Sequence, residues 1–162
     1  MIQVKEILDS NLKQTIARGV LEALPEWFGT LDAREQYITE SADQVFFGVI
    51  NRNQPIGFLT LKVTGAATVE LHVLGVLKEY QRQGTGRLLI DAAKQWAVEH
   101  HYAFLQVKTV QMGKYPEYDQ TNRFYLAMGF QEFEVFPTLW DAWNPCQIYV
   151  MALPTKTKTH DN

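Results

Sequence analysis

Hydrophobic and polar positions along the chain repeat with two different periods, and the changes of period predict the order of its elements. Residues 2–7, IQVKEI, alternate as a strand does. Asp9 or Ser10 can then cap a helix that runs to about Leu24, and a second helix is predicted over residues 31–40. The chain is therefore expected to begin with one strand followed by two helices.

The next part of the chain is rich in β-branched and aromatic residues. Turn signals such as RNQP divide it into three predicted strands, which cover residues 44–51, 56–63 and 67–77. The period then becomes helical, because apolar residues fall on one stripe from Leu88 to Ala97. A strand over 103–110, a helix near 120–128 and two closing strands, 130–136 and 145–153, are predicted to follow.

This order, β-α-α-β-β-β-α-β-α-β-β, predicts an α/β (α+β) fold. One helical crossover among otherwise antiparallel neighbours indicates a mixed, mostly antiparallel sheet of about seven strands with helices on both faces. Residues 1–153 are expected to form a single domain, and residues 154–162, PTKTKTHDN, a disordered tail.

Composition narrows the class of protein. The chain has 162 residues, of which 46% are hydrophobic, and a net charge of −3 without a basic stripe, so nucleic-acid binding is not expected. No apolar run approaches the ~20 residues of a membrane span, and no secretory signal precedes the first strand. The single cysteine, Cys146, fits a reducing compartment. We therefore expect a cytoplasmic protein that needs neither a disulfide nor a metal to fold.

One polar turn leads directly into a predicted helix and contains two glycines. The stretch YQRQGTGR places Gly84 and Gly86 at the start of the helix, with Gln81, Arg82 and Arg87 around them. A helix start offers unpaired N–H groups and the positive end of the helix dipole, so it attracts phosphate. The spacing matches neither a P-loop nor a dinucleotide-binding fingerprint. Taken alone, such a turn favours a tight strand-to-helix connection without a ligand.

Two motifs in order carry a resemblance to a known family. Gln81, Gly84 and Gly86 form Gln-x-x-Gly-x-Gly after a strand, which resembles the pyrophosphate-binding motif of the GCN5-related N-acetyltransferase (GNAT) family. Downstream, TNRFYLAMGF resembles the end of that family's fourth helix, and the element order matches the family fold over about residues 2–153. The resemblance implies a transferase that uses acetyl-coenzyme A and no metal.

The resemblance also assigns residues to the cofactor. In the family, the third β-run carries a bulge that separates it from the following strand, and the pantetheine arm lies in the opening. Here this implies that pantetheine binds the backbone of Leu74, Gly75 and Val76, and that the Leu74 N–H polarises the thioester carbonyl. The residues expected around the pyrophosphate are Gln81, Arg82, Gln83, Gly84, Thr85, Gly86 and Arg87.

Proton transfer needs a base for the amine and a donor for the departing thiolate. Glu70 matches the position of the glutamate base in the histone-acetylating branch of the family, and His72 or a water chain is the alternative. Tyr125 matches the family's general-acid tyrosine. The family also uses an asparagine about two turns before this tyrosine, where the present chain has Tyr118; whether Tyr118 or Asn122 touches the cofactor stays open.

The acceptor is expected to bind at two aromatic segments. LPEWFGTLDAREQYI and FPTLWDAWNPC supply Trp27, Phe28, Tyr37, Trp140 and Trp143, with Glu26, Asp32 and Asp141 nearby. Aromatic rings beside carboxylates suit a small cationic amine. Polyamine, aminoglycoside, amino acid and peptide amine all stay open, as does assembly into a homodimer. The competing class is a non-catalytic acyl-coenzyme A sensor on the same fold.

Overall fold

The computed structural model describes residues 1–155 and contains a seven-stranded sheet with four α-helices. The expected tail over 154–162 falls almost wholly outside the described residues. The elements are β1 (Ile2–Glu6), α1 (Ser10–Glu22), α2 (Leu31–Ser41), β2 (Val45–Asn51), β3 (Gln54–Val63), β4 (Thr68–Val76), a 3₁₀ turn (Lys78–Tyr80), α3 (Thr85–Glu99), β5 (Phe104–Val110), α4 (Pro116–Ala127), β6 (Gln131–Phe136) and β7 (Cys146–Ala152). The predicted element order is confirmed.

The sheet has the order β1-β2-β3-β4-β5-β7-β6, and only the β4–β5 pair is parallel. α3 makes the crossover between these two strands, as parallel neighbours require. Buried residues of α1 and α2, such as Val20 and Ile38, pack on one face of the sheet. Leu89 of α3 and Tyr125 of α4 pack on the other. The mixed sheet covered by helices on both faces is therefore confirmed.

The parallel pair β4–β5 is joined over only part of its length. Pairing runs from Thr68 opposite Phe104 to Leu71 opposite Val107 and then stops, although β4 continues to Val76. We call the space between residues 72–76 of β4 and residues 108–110 of β5 the β4–β5 gap. It leaves one edge of β4 without a strand partner in the middle of the sheet.

A bulge marks the point where the gap opens. Against β3, Leu71 lies opposite Leu61 and Val73 opposite Thr60, so His72 is the extra residue on β4. An extra residue bends the bulged strand and increases its twist. β4 stays paired with β3 on one side while its other side turns away from β5.

α4 begins earlier than the sequence pattern predicted. The helix was expected from about Gln120, but it starts at Pro116. Proline suits a first helical turn because its missing N–H would have no partner there. Glu117 and Asp119 add acidic side chains in the same turn, which the helix dipole favours. The apolar period alone missed this polar first turn.

Asn122 fixes α4 against the sheet. Its fully buried amide donates to the carbonyls of Val110 (2.8 Å) and Tyr118 (2.7 Å), and its oxygen accepts from the Tyr149 hydroxyl (2.5 Å). One side chain thus connects α4 with β5 and β7. Both polar atoms of this side chain are engaged in these bonds within the fold.

Candidate functional site

A cavity of about 760 Å³ occupies the β4–β5 gap and extends between the surrounding helices. This volume lies within the usual range for small-molecule sites. Its walls come from the gap itself, the turn before α3, α4, the α1–α2 connection and the β6–β7 loop. Representative lining residues are His72, Leu74, Gly75, Val76, Lys108, Gln81, Arg82, Gly86, Tyr118, Phe124, Tyr125, Trp27, Phe28, Arg34, Tyr37, Trp140 and Asp141.

Backbone N–H groups of β4 point into the gap at alternate residues. The N–H of Leu77, just after the strand, donates to the Ile56 carbonyl on the β3 side at 2.9 Å. Successive N–H groups of a strand face opposite edges, so that of Gly75 also faces β3. Those of Leu74 and Val76 face the gap. They can pair with an extended ligand as a neighbouring strand would.

The turn before α3 presents a run of unpaired backbone donors. Among the described residues, no N–H of residues 82–87 donates a hydrogen bond to the protein. Gly84 precedes the helix with φ of +85°, a left-handed conformation that glycine adopts at no steric cost. The Gln81 side chain donates to the Val76 carbonyl at 2.9 Å and ties this turn to the end of β4. Open donors at a helix start form an anion site.

The predicted cofactor residues divide into two groups. Leu74, Gly75, Val76, Gln81, Arg82 and Gly86 line the cavity. Gln83, Gly84, Thr85 and Arg87 do not, although their backbone N–H groups belong to the unpaired run. A Cβ on Gly86 would lie 2.8 Å from the Phe124 ring, so glycine permits the close approach of α3 and α4 there.

Tyr125 lines the cavity from α4 and is otherwise buried. Its ring packs beside Phe130 and Tyr149, with centroids 5.6 and 6.1 Å away. Within residues 1–155 its hydroxyl makes no hydrogen bond. Burial raises the pKa of this phenol above its ordinary value of about 10, so the group stays protonated at neutral pH and keeps a proton to donate.

Glu70 and His72 have different surroundings. Glu70 is buried, does not line the cavity, and receives hydrogen-bonded contacts from Lys108 (2.9 Å) and Gln106 (3.4 Å). The bulged His72 lines the cavity. Its ring lies 5.5 Å from that of Tyr37, and its Nδ1 lies 3.0 Å from the Gln44 amide nitrogen. Only the histidine therefore faces the space where a ligand would lie.

Burial lowers the pKa of the His72 imidazole below its ordinary value of about 6.5. The carboxylates of Glu70 and Glu40 oppose this change, and the cations Lys62 and Lys108 add to it. The net result is a neutral ring at pH 7, since the neutral form persists down to the lowered pKa. A neutral imidazole can accept a proton.

The acceptor segments meet at one end of the cavity. Trp27, Phe28, Tyr37 and Trp140 line it, whereas Trp143 and Asp32 do not. Two of the carboxylates expected there already have partners: Glu26 pairs with Lys78, and Asp141 accepts from the backbone of Trp143 and Asn144. The aromatic side chains are therefore available to contact an acceptor, whereas the carboxylates of Glu26 and Asp141 already bind other groups of the protein.

Tyr118 and two cations complete the lining. The Tyr118 hydroxyl donates to the Trp27 carbonyl at 3.0 Å and joins α4 to the α1–α2 connection. Sequence reasoning missed Lys108 and Arg34. The sequence contained a signal for each. Lys108 lies between Val107 and Thr109 on a predicted strand, so its side chain is on the face opposite to these two buried residues. Arg34 lies one helical turn before the buried Ile38, so the two side chains share a face of α2.

Comparison with known proteins defines the family. Residues 42–132 match the family model for the acetyltransferase (GNAT) domain. A GNAT-family protein from Desulfovibrio desulfuricans has the same fold, with a TM-score of 0.84 at 19% identity over 95% of this chain and 100% of that one. No curated protein sequence matches the chain.

Two further structures are similar. The ribosomal-protein-S18-alanine N-acetyltransferase of Escherichia coli aligns with a TM-score of 0.75 at 14% identity, covering 100% of this chain and 99% of that one. An aminoglycoside 6′-N-acetyltransferase in complex with coenzyme A aligns with a TM-score of 0.73 at 13% identity, covering 96% and 99%. At these identities the likeness concerns the fold.

The chain belongs to the GNAT family of acetyltransferases, because the family model covers more than half of it. The predicted family, fold and enzyme class, an acetyl-coenzyme A-dependent acetyltransferase, are thereby confirmed. Within residues 1–155 no helix is both long and apolar enough to cross a membrane.

A charge placed at Gly84 tests whether the open donors bind coenzyme A. Asparagine and aspartate both tolerate the left-handed conformation, so Gly84→Asn and Gly84→Asp have nearly the same shape. The aspartate should repel the pyrophosphate and weaken coenzyme A binding at least tenfold relative to the asparagine variant, measured by calorimetry. Thermal unfolding should differ little, since a carboxylate is favourable near a helix start. Equal affinities of the two variants would exclude the turn from the cofactor site.

Proposed function

We propose that this acetyltransferase binds acetyl-coenzyme A along the β4–β5 gap and transfers the acetyl group directly to a primary amine. The observation that carries the proposal is the continuity of one cavity. It joins the turn before α3, the gap-facing edge of β4, the Tyr125 ring and the aromatic end of the site. Such continuity supports placing the pyrophosphate on residues 82–87 and the pantetheine against Leu74 and Val76.

The amine must lose a proton before it attacks. Alkylammonium groups have pKa values near 10, so a base near the acceptor is required. His72 is the base that we favour, because it lines the cavity and burial keeps it neutral at pH 7. To accept the proton at Nε2, the ring must carry its own proton on Nδ1 and donate it to a neighbouring acceptor. The Gln44 amide supplies that acceptor when it is rotated by 180°, so that its oxygen replaces the nitrogen 3.0 Å from Nδ1. The rotation also gives a partner to this oxygen, which is otherwise buried without a hydrogen bond among residues 1–155. Glu40, whose Oε2 lies 3.8 Å from Nε2, would stabilise the resulting imidazolium.

Glu70 has an indirect role in this scheme. It holds Lys108 and raises the pKa of the neighbouring His72. The sequence-based proposal that Glu70 is itself the base, and a relay through water, are the alternatives. These alternatives predict a different pH dependence of kcat/KM for variants of His72 and Glu70 than the histidine scheme does.

In the transfer step the C–N bond forms first, and the C–S bond breaks afterwards. The nitrogen lone pair attacks the thioester carbon, and the oxygen that gains negative charge accepts from the Leu74 N–H. As the tetrahedral intermediate collapses, the thiolate leaves and Tyr125 donates a hydrogen bond to its sulfur. The nitrogen, now an amide, releases its second proton, which neutralises the thiolate. The raised pKa of Tyr125 favours a donor that keeps its proton in the resting enzyme.

The acceptor is a small amine whose ammonium is cationic in solution. The rings of Trp27, Phe28, Tyr37 and Trp140 support this proposal, because aromatic faces attract ammonium groups. The similar structures include enzymes named for aminoglycosides and for a ribosomal-protein alanine, so they do not favour one acceptor. Thiol release from acetyl-coenzyme A, measured against a panel of amines, distinguishes this enzyme from a non-catalytic sensor. A sensor would bind the cofactor with no amine-dependent release.

Replacement of Tyr125 by phenylalanine tests the proposed donor. Tyr125→Phe keeps the ring and its packing but deletes the hydroxyl, so kcat should fall roughly 10²-fold. Coenzyme A affinity should change little, since the hydrogen bond forms mainly as charge develops on sulfur. Steady-state rates with calorimetry measure both quantities. Tyr102→Phe is the matched control, because Tyr102 stacks on Trp96 and does not line the cavity. If kcat of Tyr125→Phe stays within about threefold of wild type, Tyr125 is a packing residue.

The identity of the base is tested by the pH dependence of kcat/KM. His72→Gln should lower kcat/KM about 10²-fold at pH 7, with recovery as pH rises and free amine becomes abundant. Glu70→Gln should instead move the acidic limb to lower pH, because loss of this carboxylate lowers the pKa of His72 further. Near pH 8 its rate should remain close to wild type. A wild-type rate in His72→Gln at pH 7, with a large loss in Glu70→Gln, would reassign the base to Glu70.

A further inference from the structure

Arg34 is a cation in the cavity without a partner. It lines the acceptor end, and no hydrogen bond or ion pair joins its guanidinium to any residue in 1–155. Its Nε is buried and out of reach of a ligand, but the side chain as a whole is only half-buried, so the terminal nitrogens remain as the donors that can face the cavity. Charged groups in a partly enclosed site normally have a hydrogen-bond or ion-pair partner. The guanidinium is therefore available to an anionic group that the protein alone does not supply.

The position of Arg34 on α2 shows that its unpaired guanidinium belongs to the inner side of the helix. Tyr37 and Ile38 follow it by three and four residues, so all three share one face of the helix. Ile38 is buried in the core, and Tyr37 lines the cavity. Arg34 thus continues the inward-facing stripe of the helix at its N-terminal end, whereas a solvating arginine would be expected on the outer face.

No carboxylate in residues 1–155 forms a hydrogen bond or ion pair with Arg34, although its charge adds to the hydrogen bond from Arg18 in lowering the pKa of Glu35. On the same helix, Glu35 is bound by both terminal nitrogens of Arg18, at 2.7 and 2.9 Å, and Glu40 accepts from Gln36. In the cavity, Glu26 pairs with Lys78, and Asp141 is held by its own turn. Glu117 is the one lining carboxylate among the described residues without such a contact. The cavity thus holds opposite charges on different elements and matches an acceptor that carries both.

Arg34 and the proposed base His72 line the same cavity, and Tyr37 relates their positions. The Tyr37 ring lies 5.5 Å from the His72 ring. Along the helix axis, Arg34 precedes Tyr37 by three residues, which is about 4.5 Å. We therefore expect the guanidinium to be within reach of a charged group that lies a few bonds from an amine near His72. An acceptor that carries its amine and its anionic group on one short skeleton fits the positions of His72 and Arg34.

We infer that the acceptor carries an anionic group close to its amine and that Arg34 binds this group. The guanidinium presents paired donors that match a carboxylate or a phosphate. The inference rests on the proposed function, since it concerns the acceptor of the same reaction. It narrows the acceptor from amines in general to zwitterionic amines such as amino acids or aminoalkyl phosphates, and it excludes polyamines.

Matched acceptor pairs test the inference. Amino acids are compared with their carboxamides and decarboxylated amines, and phosphoethanolamine with ethanolamine, by acetyl-coenzyme A-dependent thiol release. Wild type should prefer at least one anionic member by roughly 10- to 100-fold in kcat/KM, which is the loss expected when a charge-assisted hydrogen bond is removed. Whether that member is a carboxylate or a phosphate identifies the anionic group.

The variants show whether Arg34 causes the preference. Arg34→Gln should abolish it by lowering kcat/KM for the anionic acceptor, while the neutral partner changes by less than about threefold; Arg34→Lys should retain part of it. Arg123→Gln is the control, because Arg123 is exposed on α4 and does not line the cavity. Two results would overturn this inference but not the proposed function. One is that the wild type acetylates amines with no preference for the anionic member of a pair. The other is that Arg34→Gln lowers kcat/KM equally for both members. Acetylation of no amine by the wild type overturns the proposed function with it.

Discussion

The early end of pairing between β4 and β5 is the constraint on which the rest of the site depends. Most of a sheet's backbone donors are satisfied by neighbouring strands, yet beyond Leu71 and Val107 one edge of β4 has no strand beside it. The bulge at His72 creates this separation while β4 keeps its pairing with β3. A single extra residue thus opens the sheet and brings the histidine into the cavity.

Both ends of the gap are held by specific contacts. At one end, Gln81 bonds the Val76 carbonyl and brings the unpaired N–H groups of residues 82–87 next to the open strand edge. At the other, Asn122 fastens α4 to β5 and β7, which holds Tyr125 beside the cavity. Without these contacts, the anion site and the phenol would not be fixed at the two sides of one extended ligand. The fold therefore positions the proposed chemistry mainly through backbone geometry and two amide side chains.

The sequence predicted the fold well because its signals are local. Alternation, helical stripes and turn residues identified every strand and helix, and the two glycine-containing motifs identified the family. The start of α4 was predicted too late because Pro116 to Asp119 form a polar first turn that carries no apolar period.

The roles of single side chains were harder to predict. Side chains two residues apart on a regular strand lie on the same face, so the sequence places Glu70 and His72 together. The bulge and the Lys108 contact nevertheless give them different surroundings. Nothing local in the sequence reveals that contact, since Glu70 and Lys108 lie on different strands.

Backbone hydrogen exchange along β4 tests the central claim most directly. In the free protein, the amides of Val73 and Gly75, which face β3, should exchange slowly, whereas those of Leu74 and Val76, which face the gap, should exchange fast despite their place in the sheet. Saturating acetyl-coenzyme A should slow the exchange of Leu74 and Val76 specifically, because the thioester carbonyl would accept from Leu74 and the pantetheine from Val76. Equal protection of all four amides in the free protein, or no change at Leu74 and Val76 when the cofactor is bound, would contradict the account.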